Sequence, residues 1–559
     1  MSKKEDKVLF AGAGQKVVLN LPDLDRTAVE TILHSPLYAE AEKIEWDAKE
    51  VALVLANGYS TNNWDTVSVC RITALNALIA ASKGKGKEQK YPETIFANIT
   101  DGEVTASMQG KFKPWQVVRG GDGRNIKLNI PLESGVFEYA LANGKKIDVA
   151  GINFDIMVKL DCIPQPVMNA GLADRVYNLQ VRTDSSEPSD PIATVLNVKV
   201  AEGAEPLSTV ARGVLLSLMS AWLNEPENLQ KFNVLFSTVL ISNMGSGSEE
   251  YQWLRATSLS YAYTDSNTVD SCIFGVLCVT NGGSTTGLPN QIPAVKLANE
   301  QNALFLINRA LFVKYRLLPA LPHIFPESKP DDFILDNAGT IINAKNLKLD
   351  SVRVGAINYH PKVSTFDICF HSECIETRAV IFTNISPGIK TETTITTRQT
   401  LGLGTNDNGE PIMVYKNLAD PIVTNTTHKA AGVIVTEAII VLIGAVVTGI
   451  AAAVARKLIA LIVGIAVAVI VATVSLVIHL LIESIISKGV KAGMPSVAPM
   501  VRVATDQIKW PFCVNDPKTG DFKLTDIKYS DSIALFGDLN ITKKYLSVNG
   551  TSAFTGEEN

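Results

Sequence analysis

Histidine is scarce in this chain, six in 559 residues, and no HExxH or other paired arrangement is present for metal or proton-transfer chemistry. Lys83-Gly84-Lys85-Gly86-Lys87 lacks the spacing and the Ser/Thr of a phosphate-binding loop and reads as a solvated loop. Gly120-Gly121-Asp122-Gly123 falls between expected strands, where a positive-φ turn explains the glycines better than a dinucleotide site does. Cys369, His371 and Cys374 come nearest to a metal cluster. Zinc needs three or four ligands, and no partner pair stands elsewhere at ligand spacing. No nucleophile, base and orienting group assemble, so an enzyme is not expected, and neither is a cofactor.

Cysteine is also sparse: seven, odd in number and widely scattered. That argues against a disulfide framework and for synthesis in a reducing cytoplasm. The first residues, MSKKEDKVLFAGAGQK, contain no apolar h-region, so no Sec-type signal is expected. Release from the cell by another route stays open. Charged residues make up 19%, the net charge is −5 and the pI about 5.8. No basic footprint for nucleic acid is present.

What the chain does have is apolar length. Hydrophobic residues are 46% and mean hydropathy is +0.16, much of it from residues 432–487. Residues 438–455 carry no charge; Arg456 and Lys457 follow; residues 458–482 again lack Asp, Glu, Lys and Arg, with His479 their only titratable group. Each stretch is about long enough to cross a hydrocarbon core of roughly 30 Å as a helix. The spacing predicts two apolar helices joined by a tight turn, with Arg456 and Lys457 at its tip. A tip charge at the bilayer midplane costs about 2.5–3.5 kcal/mol. Three readings remain open: the hairpin spans a membrane, is buried in a large domain, or is sequestered first and inserted later. Gly464, Ala468 and Ala472 form a small-residue ridge compatible with close helix contact in any of them. His479 is a pH switch or a satisfied core residue.

Elsewhere the period is mostly two. Ile126, Leu128, Ile130 and Leu132 alternate with polar neighbours, as do Ile152 to Leu160, Leu196 to Val200, and Phe366 to Phe370. One polar face predicts antiparallel sheet covered on one side. A Thr-rich stretch runs from Thr391 to Thr400, and Asn406-Asp407-Asn408-Gly409 reads as a hairpin turn. Two amphipathic helices are expected. One follows Pro206, with Leu207, Val210, Ala211, Val214, Leu215, Leu218 and Trp222 on a stripe. The other carries Leu304, Ile307, Leu311, Tyr315 and Leu318 and stops at Pro319. Leu24, Ala28, Ile32 and Leu33 suggest a further helix in an N-terminal extension that closes at Gly58. Helices wedged between alternating strands give an α+β fold with sheets curling around helices. The expected division is an extension at 1–58, a lobe at 59–345, a second β-rich lobe at 346–427, the apolar hairpin at 428–494, and a return to the body at 495–559.

An ordered set of segments supports a resemblance. Asn63-Trp64-Asp65-Thr66-Val67, Gly110-Lys111-Phe112, Trp115, Gly120-Gly121-Asp122-Gly123 and Ile130-Pro131 come first. Tyr251-Gln252-Trp253-Leu254, Tyr261-Ala262, Phe274 to Cys278, and Leu317-Leu318-Pro319 with Leu321-Pro322 follow. The series resembles the forty-seven-kilodalton accessory proteins encoded beside some botulinum neurotoxins, with their OrfX relatives. Homologues of that family occur in other bacteria, some near insecticidal proteins. The family is similar to the tubular lipid-binding (TULIP) superfamily. The resemblance implies an elongated α+β body of curved antiparallel sheets wrapping long helices. It also implies an apolar helix–sheet seam for lipid or another apolar ligand, and partners among the proteins of a bacterial toxin cluster. Leu207, Val210, Val214, Leu218, Leu304, Ile307 and Leu311 are the candidate seam residues. Trp64, Trp115 and Trp253 are expected to anchor the core. The extension has no counterpart in the resemblance, and the long, pure apolar hairpin argues against a simple soluble lipid carrier and leaves a membrane-inserting subunit or a lipid-free docking scaffold as competing expectations.

Overall fold

The structure, a computed structural model, describes residues 17–19, 59–83, 91–101, 104–140, 146–164, 175–182, 191–201, 206–229, 235–241, 251–293, 295, 297–325, 328–336, 340–433, 435–470, 494–510 and 522–539. The helix expected in the N-terminal extension, Gly58 and His479 lie outside these residues.

Three antiparallel sheets carry the molecule. A ten-stranded sheet runs in the order Ile508–Lys509, Leu235–Ile241, Arg175–Val181, Asn153–Pro164, Asn125–Tyr139, Val104–Phe112, Thr94–Asp101, with Ala193–Lys199 beside Asn153–Pro164. Its long strands alternate as their sequences predict. Ile126, Leu128, Ile130 and Leu132 are buried, as are Ile152, Phe154, Ile156, Val158 and Leu160. Leu196 departs from the expected pattern and is exposed. A bulge between Val195 and Asn197 shifts the register there, and one extra residue turns the following side chains over.

A six-stranded sheet orders Ala256–Thr264, Ile273–Thr280, Thr66–Arg71, Ala303–Asn308, Ser532–Asp538 and Lys523–Ser530. Its inner strands are apolar without alternation because both faces are covered. Segments from both ends of the chain therefore pair in one sheet.

A nine-stranded sheet orders Val17–Leu19, Ile422–Lys429, Ile389–Thr405, Ile375–Ser386, Lys362–Phe370, Ile341–Asn343 and Phe333–Leu335. The short strand Leu347–Lys348 pairs with Lys362–Phe370, and Pro411–Asn417 pairs with Ile389–Thr405. The turn at Asn406–Gly409 closes that last hairpin, with Gly409 at a φ of 78°.

Five helices pack with these sheets: α1 (Ile72–Ala81), α2 (Thr209–Asn224), α3 (Leu318–Ile324), α4 (Glu437–Ile470) and α5 (Ala498–Asp506). Helices α1 and α2 share an apolar core with the ten-stranded sheet. A second core joins the nine-stranded sheet to α3, α4 and α5. The six-stranded sheet feeds both, through Phe274 and Val276 into the first and Phe305 and Ile307 into the second. Trp64, Trp115 and Trp253 are all buried, and Trp64 Nε1 donates to Pro289 O at 2.7 Å. The architecture is α+β, as the sequence predicts.

Candidate functional site

The first expected seam forms around α2. Ser208 caps its N-terminus by accepting from Ala211 N at 3.1 Å. The helix stops at Glu225, which stands before Pro226 and is extended. Ala211, Leu215, Leu218, Met219, Trp222 and Leu223 are buried against the strands Thr94–Asp101, Val104–Phe112 and Ala193–Lys199. Of the candidate seam residues, Leu218 is in this core, and Leu207 and Val214 flank it. Val210 is 51% exposed. The true stripe is centred on 211, 215, 218 and 222, so Val210 falls on its outer shoulder, and Met219 and Leu223 complete the inner side.

The second expected helix is a strand where Leu304 and Ile307 stand. Ala303–Asn308 pairs with both Thr66–Arg71 and Ser532–Asp538. An apolar run of this length cannot be told from a buried helix by periodicity. Leu304 faces the outer core with Val67 and Val69, and Ile307 faces the opposite core. Asn308 then starts a helical turn, its Oδ1 accepting from Ala310 N at 2.7 Å, and Leu311 is buried within that turn. The seven candidates are therefore split among three cores and the surface; no one seam contains them.

Helix α4 builds the third and longest seam. It runs without a turn through Arg456 and Lys457, which overturns their placement at a hairpin tip. The lack of any glycine or proline at 455–460 lets the helix continue across the two charges. Lys457 Nζ lies 3.5 Å from Ile324 O at the C-terminal end of α3, where a cation meets free carbonyls. Ile443, Val446, Val447, Ile450, Ala451 and Val454 are buried at i, i+3, i+4, i+7, i+8 and i+11, one face of a helix. They meet the inner face of the nine-stranded sheet and the hairpin strand Val352–Val354. Gly449 permits that approach: a Cβ there would stand 2.2 Å from Val352 Cγ1. The other face of α4 is not polar. Val441 is 69% exposed, and Ala438 and Ala445 are exposed with it. Among the described residues no helix is long and apolar enough to cross a membrane. That statement concerns helices alone.

The nine-stranded sheet also holds a group of buried polar residues. Thr383, Thr391 and Thr427 stand in one cross-strand row, and Thr393 and Asn425 in the next. All five are buried. Thr393 Oγ1 donates to Asn425 Oδ1 at 3.0 Å. Among the described residues the Thr383, Thr391 and Thr427 hydroxyls and Asn425 Nδ2 have no hydrogen-bond partner. An unmet buried polar group costs about 1–3 kcal/mol. Beside Ile381, Ile389 and Ile395 on the same face, this is a polar patch in an apolar wall. The period-two threonines at 391, 393 and 397 were its signal. What they could not tell is that this face points inward.

A surface cavity of about 450 Å³ lies where the Gly120–Gly123 turn meets the strand Ala256–Thr264. Asn62, Asp122, Tyr263, Asp265 and Gln291 line it. Gly121 is required there, because a Cβ would stand 2.6 Å from Asn125 O and 2.9 Å from the Tyr263 ring. Asp265 Oδ1 accepts from Tyr263 OH and Cys272 Sγ, both at 3.3 Å. Partial burial pushes the Asp265 carboxyl up, and the hydrogen bonds outweigh it, so the group sits below the usual range. Burial, with Asp265 and Cys272 nearby, pushes the Tyr263 phenol far up. These groups tie the turn to the sheet. Cys369 lies on the strand Lys362–Phe370, and Cys374 in the turn after it. Among the described residues no three His, Cys, Asp or Glu side chains gather as a metal site.

The comparisons with known proteins fit this architecture. The model of the family described as OrfX-like, Protein OrfX2/OrfX3/P47, matches residues 61–537. Protein OrfX3 of Paraclostridium bifermentans is 27% identical over 418 residues, which is 70% of this chain and 83% of that protein. Protein OrfX3 of Clostridium botulinum (strain Kyoto / Type A2) is 26% identical over 407 residues, 67% of this chain and 79% of that one. The solved structure of P47 from Clostridium botulinum A2 covers 86% of this chain and 98% of its own at a TM-score of 0.55 and 15% identity, a likeness of fold. With the match covering most of its length, the chain belongs to the OrfX-like family of OrfX2, OrfX3 and P47 proteins.

Proposed function

We propose that this protein is a non-enzymatic accessory component of a bacterial toxin system that holds apolar surface against the seam between α4 and the nine-stranded sheet. Family membership supports the accessory role. One observation carries the rest: among the described residues the outer face of α4 after Glu437 shows Ala438, Val441 and Ala445 and no charged side chain, while the sheet covers the opposite face. A helix of a finished soluble core keeps charge on its outer face. The outer face of α4 instead offers apolar area, worth about 25 cal/mol for each Å² removed from water. A lipid acyl chain is the reading we favour, with membrane contact through the same face.

Liposome flotation tests this, with the wild-type chain, a Val441→Lys variant, and a version in which residues 432–487 become a Gly/Ser linker. The reading expects wild type to float or to carry extractable lipid, and Val441→Lys to lose flotation at an unchanged melting temperature. Dye release on flotation would move the chain to the membrane-inserting reading. No flotation and no extractable lipid would leave a scaffold that docks neighbours in its cluster.

A further inference from the structure

Among the described residues the strand edges are guarded, with one exception. Ala256–Thr264 is bulged at Ala256/Ser258 and covered where Gly123 and Tyr263 exchange backbone hydrogen bonds of 3.0 and 2.7 Å. Lys523–Ser530 is bulged at Leu524/Asp526 and carries Lys523 and Lys528. Ala193–Lys199 is bulged and ends in a lysine. Pro411–Asn417 opens on a proline and contains Lys416. The remaining edge strands are three residues or fewer. These are the devices by which sheets avoid pairing with other chains.

Thr94–Asp101 has none of them. It ends the ten-stranded sheet, pairs in unbroken register with Val104–Phe112, and reads TIFANITD, without charge until its last residue. Phe96 is 70% exposed. Phe112 N donates to Glu93 O at 2.9 Å, which makes 93 and 112 a hydrogen-bonded pair. Antiparallel bonding alternates along the strand. The odd residues therefore bond the neighbour, and the N–H and C=O groups of Thr94, Phe96, Asn98 and Thr100 point off the edge. Their side chains are exposed as well. Among the described residues no strand pairs with that side.

We propose that this edge is a docking site for an extended strand of a different protein chain, added antiparallel or parallel to Thr94–Thr100. Main-chain bonds to four residues supply affinity, and Phe96 supplies side-chain contact. Glu93 precedes the strand and Asp101 ends it, so the fitting segment is uncharged and apolar in its centre with a basic residue at each end. A second copy fits less well: pairing Thr94 with Thr100 end to end sets Glu93 against Asp101 of the other copy, and facing like charges are unfavourable.

The probe is a blocked seven-residue peptide of alternating valine and threonine with a lysine at each end, and a matched peptide with glutamate ends. Hydrogen exchange of the full chain is followed by mass spectrometry over the segment 92–101. The expected result is slowed exchange there with the lysine-ended peptide and binding about tenfold weaker, or 1.4 kcal/mol, with the glutamate-ended one. Phe96→Lys and Asn98→Pro should each weaken binding at least about tenfold while leaving the bond pattern to Val104–Phe112 intact. A melting curve for each variant checks the fold, and Phe96→Lys stands alone if Asn98→Pro misfolds. Absence of protection with either peptide at about 1 mM, the weak limit of specific binding, overturns the proposal. So does equal binding by Phe96→Lys and wild type. Concentration-dependent dimerisation that Phe96→Lys removes overturns the choice of partner and assigns the edge to a second copy.

Discussion

Helices α2 and α4 each lie on a curved antiparallel sheet, and they differ in what faces away from it. The outward positions of α2 include Arg212, Gly213 and Ser217, with Val210 and Ala221 as exposed apolar residues. Among the described side chains the outward positions of α4 are Glu437 at its start and then Ala438, Val441 and Ala445. Helix α2 is amphipathic and its burial is complete as it stands. Helix α4 buries a face of the same width and leaves a second apolar face in water. The first is a structural brace. The second is bound to the sheet and leaves Val441 exposed, the surface on which the proposed function rests.

Cavity-forming substitutions should have the largest effect and test whether both helices are seated alike. Ile450→Ala in α4 and Leu218→Ala in α2 each remove a fully buried aliphatic group. Each is expected to cost about 2–5 kcal/mol, read as a drop in denaturation midpoint. If Ile450→Ala costs under about 1 kcal/mol, far below the range for core truncation, α4 is only loosely held and the comparison fails.

The two helices also contain glycines whose replacement should act with opposite sign. At Gly213 of α2 a Cβ would meet nothing within 4 Å. Gly213→Ala should stabilise by about 0.5–1 kcal/mol, because alanine loses less backbone freedom on folding. At Gly449 of α4 a Cβ would collide with Val352 at 2.2 Å. Gly449→Leu should destabilise by about 1–3 kcal/mol through overpacking and displace the Val352–Val354 hairpin. Thermal melts of the two variants side by side settle the signs. A stabilised Gly449→Leu would mean that α4 stands further from the hairpin.

Much of this was legible in the chain. Period-two strands such as Asn125–Tyr139 and Asn153–Pro164 were read correctly because one face is wet and the alternation survives. The glycine turns at 120–123 and 409 were read because positive φ leaves few alternatives. Ala303–Asn308 was misread as helix because covering both faces erases the period. The supposed turn at Arg456-Lys457 was misread because two charges in an apolar run look like a boundary. In the structure a nearby carbonyl, Ile324 O, meets Lys457 without breaking the helix. The polar patch around Thr391 and the unguarded edge at Thr94–Thr100 depend on which face is inward and which strand is last, and neither is written locally.

The smallest effects separate the two sheets by how they treat a buried polar side chain. On the ten-stranded sheet Asp155 is nearly covered. It takes Lys199 Nζ at 2.9 Å and Lys127 Nζ at 3.1 Å on Oδ2, and Asn129 Nδ2 at 3.0 Å on Oδ1. Burial alone raises its pKa, and these three partners outweigh burial, so the folded carboxyl lies below its usual value. Asp155 therefore contributes stability above the unfolded carboxylate pKa of about 3.9, and that contribution is lost as pH falls through the lower, folded value. On the nine-stranded sheet Thr391 is equally covered but unpartnered, and it does not titrate. Asp155→Asn should lower stability at pH 7 and flatten the loss between pH 4 and acid, measured by urea melts across pH. Thr391→Val should be neutral or stabilising by up to about 1 kcal/mol at every pH, since an unmet hydroxyl is replaced by a methyl. If Thr391→Val is instead destabilising in protein carrying extracted lipid and not in delipidated protein, that hydroxyl is met by the ligand, and the patch belongs to the binding seam.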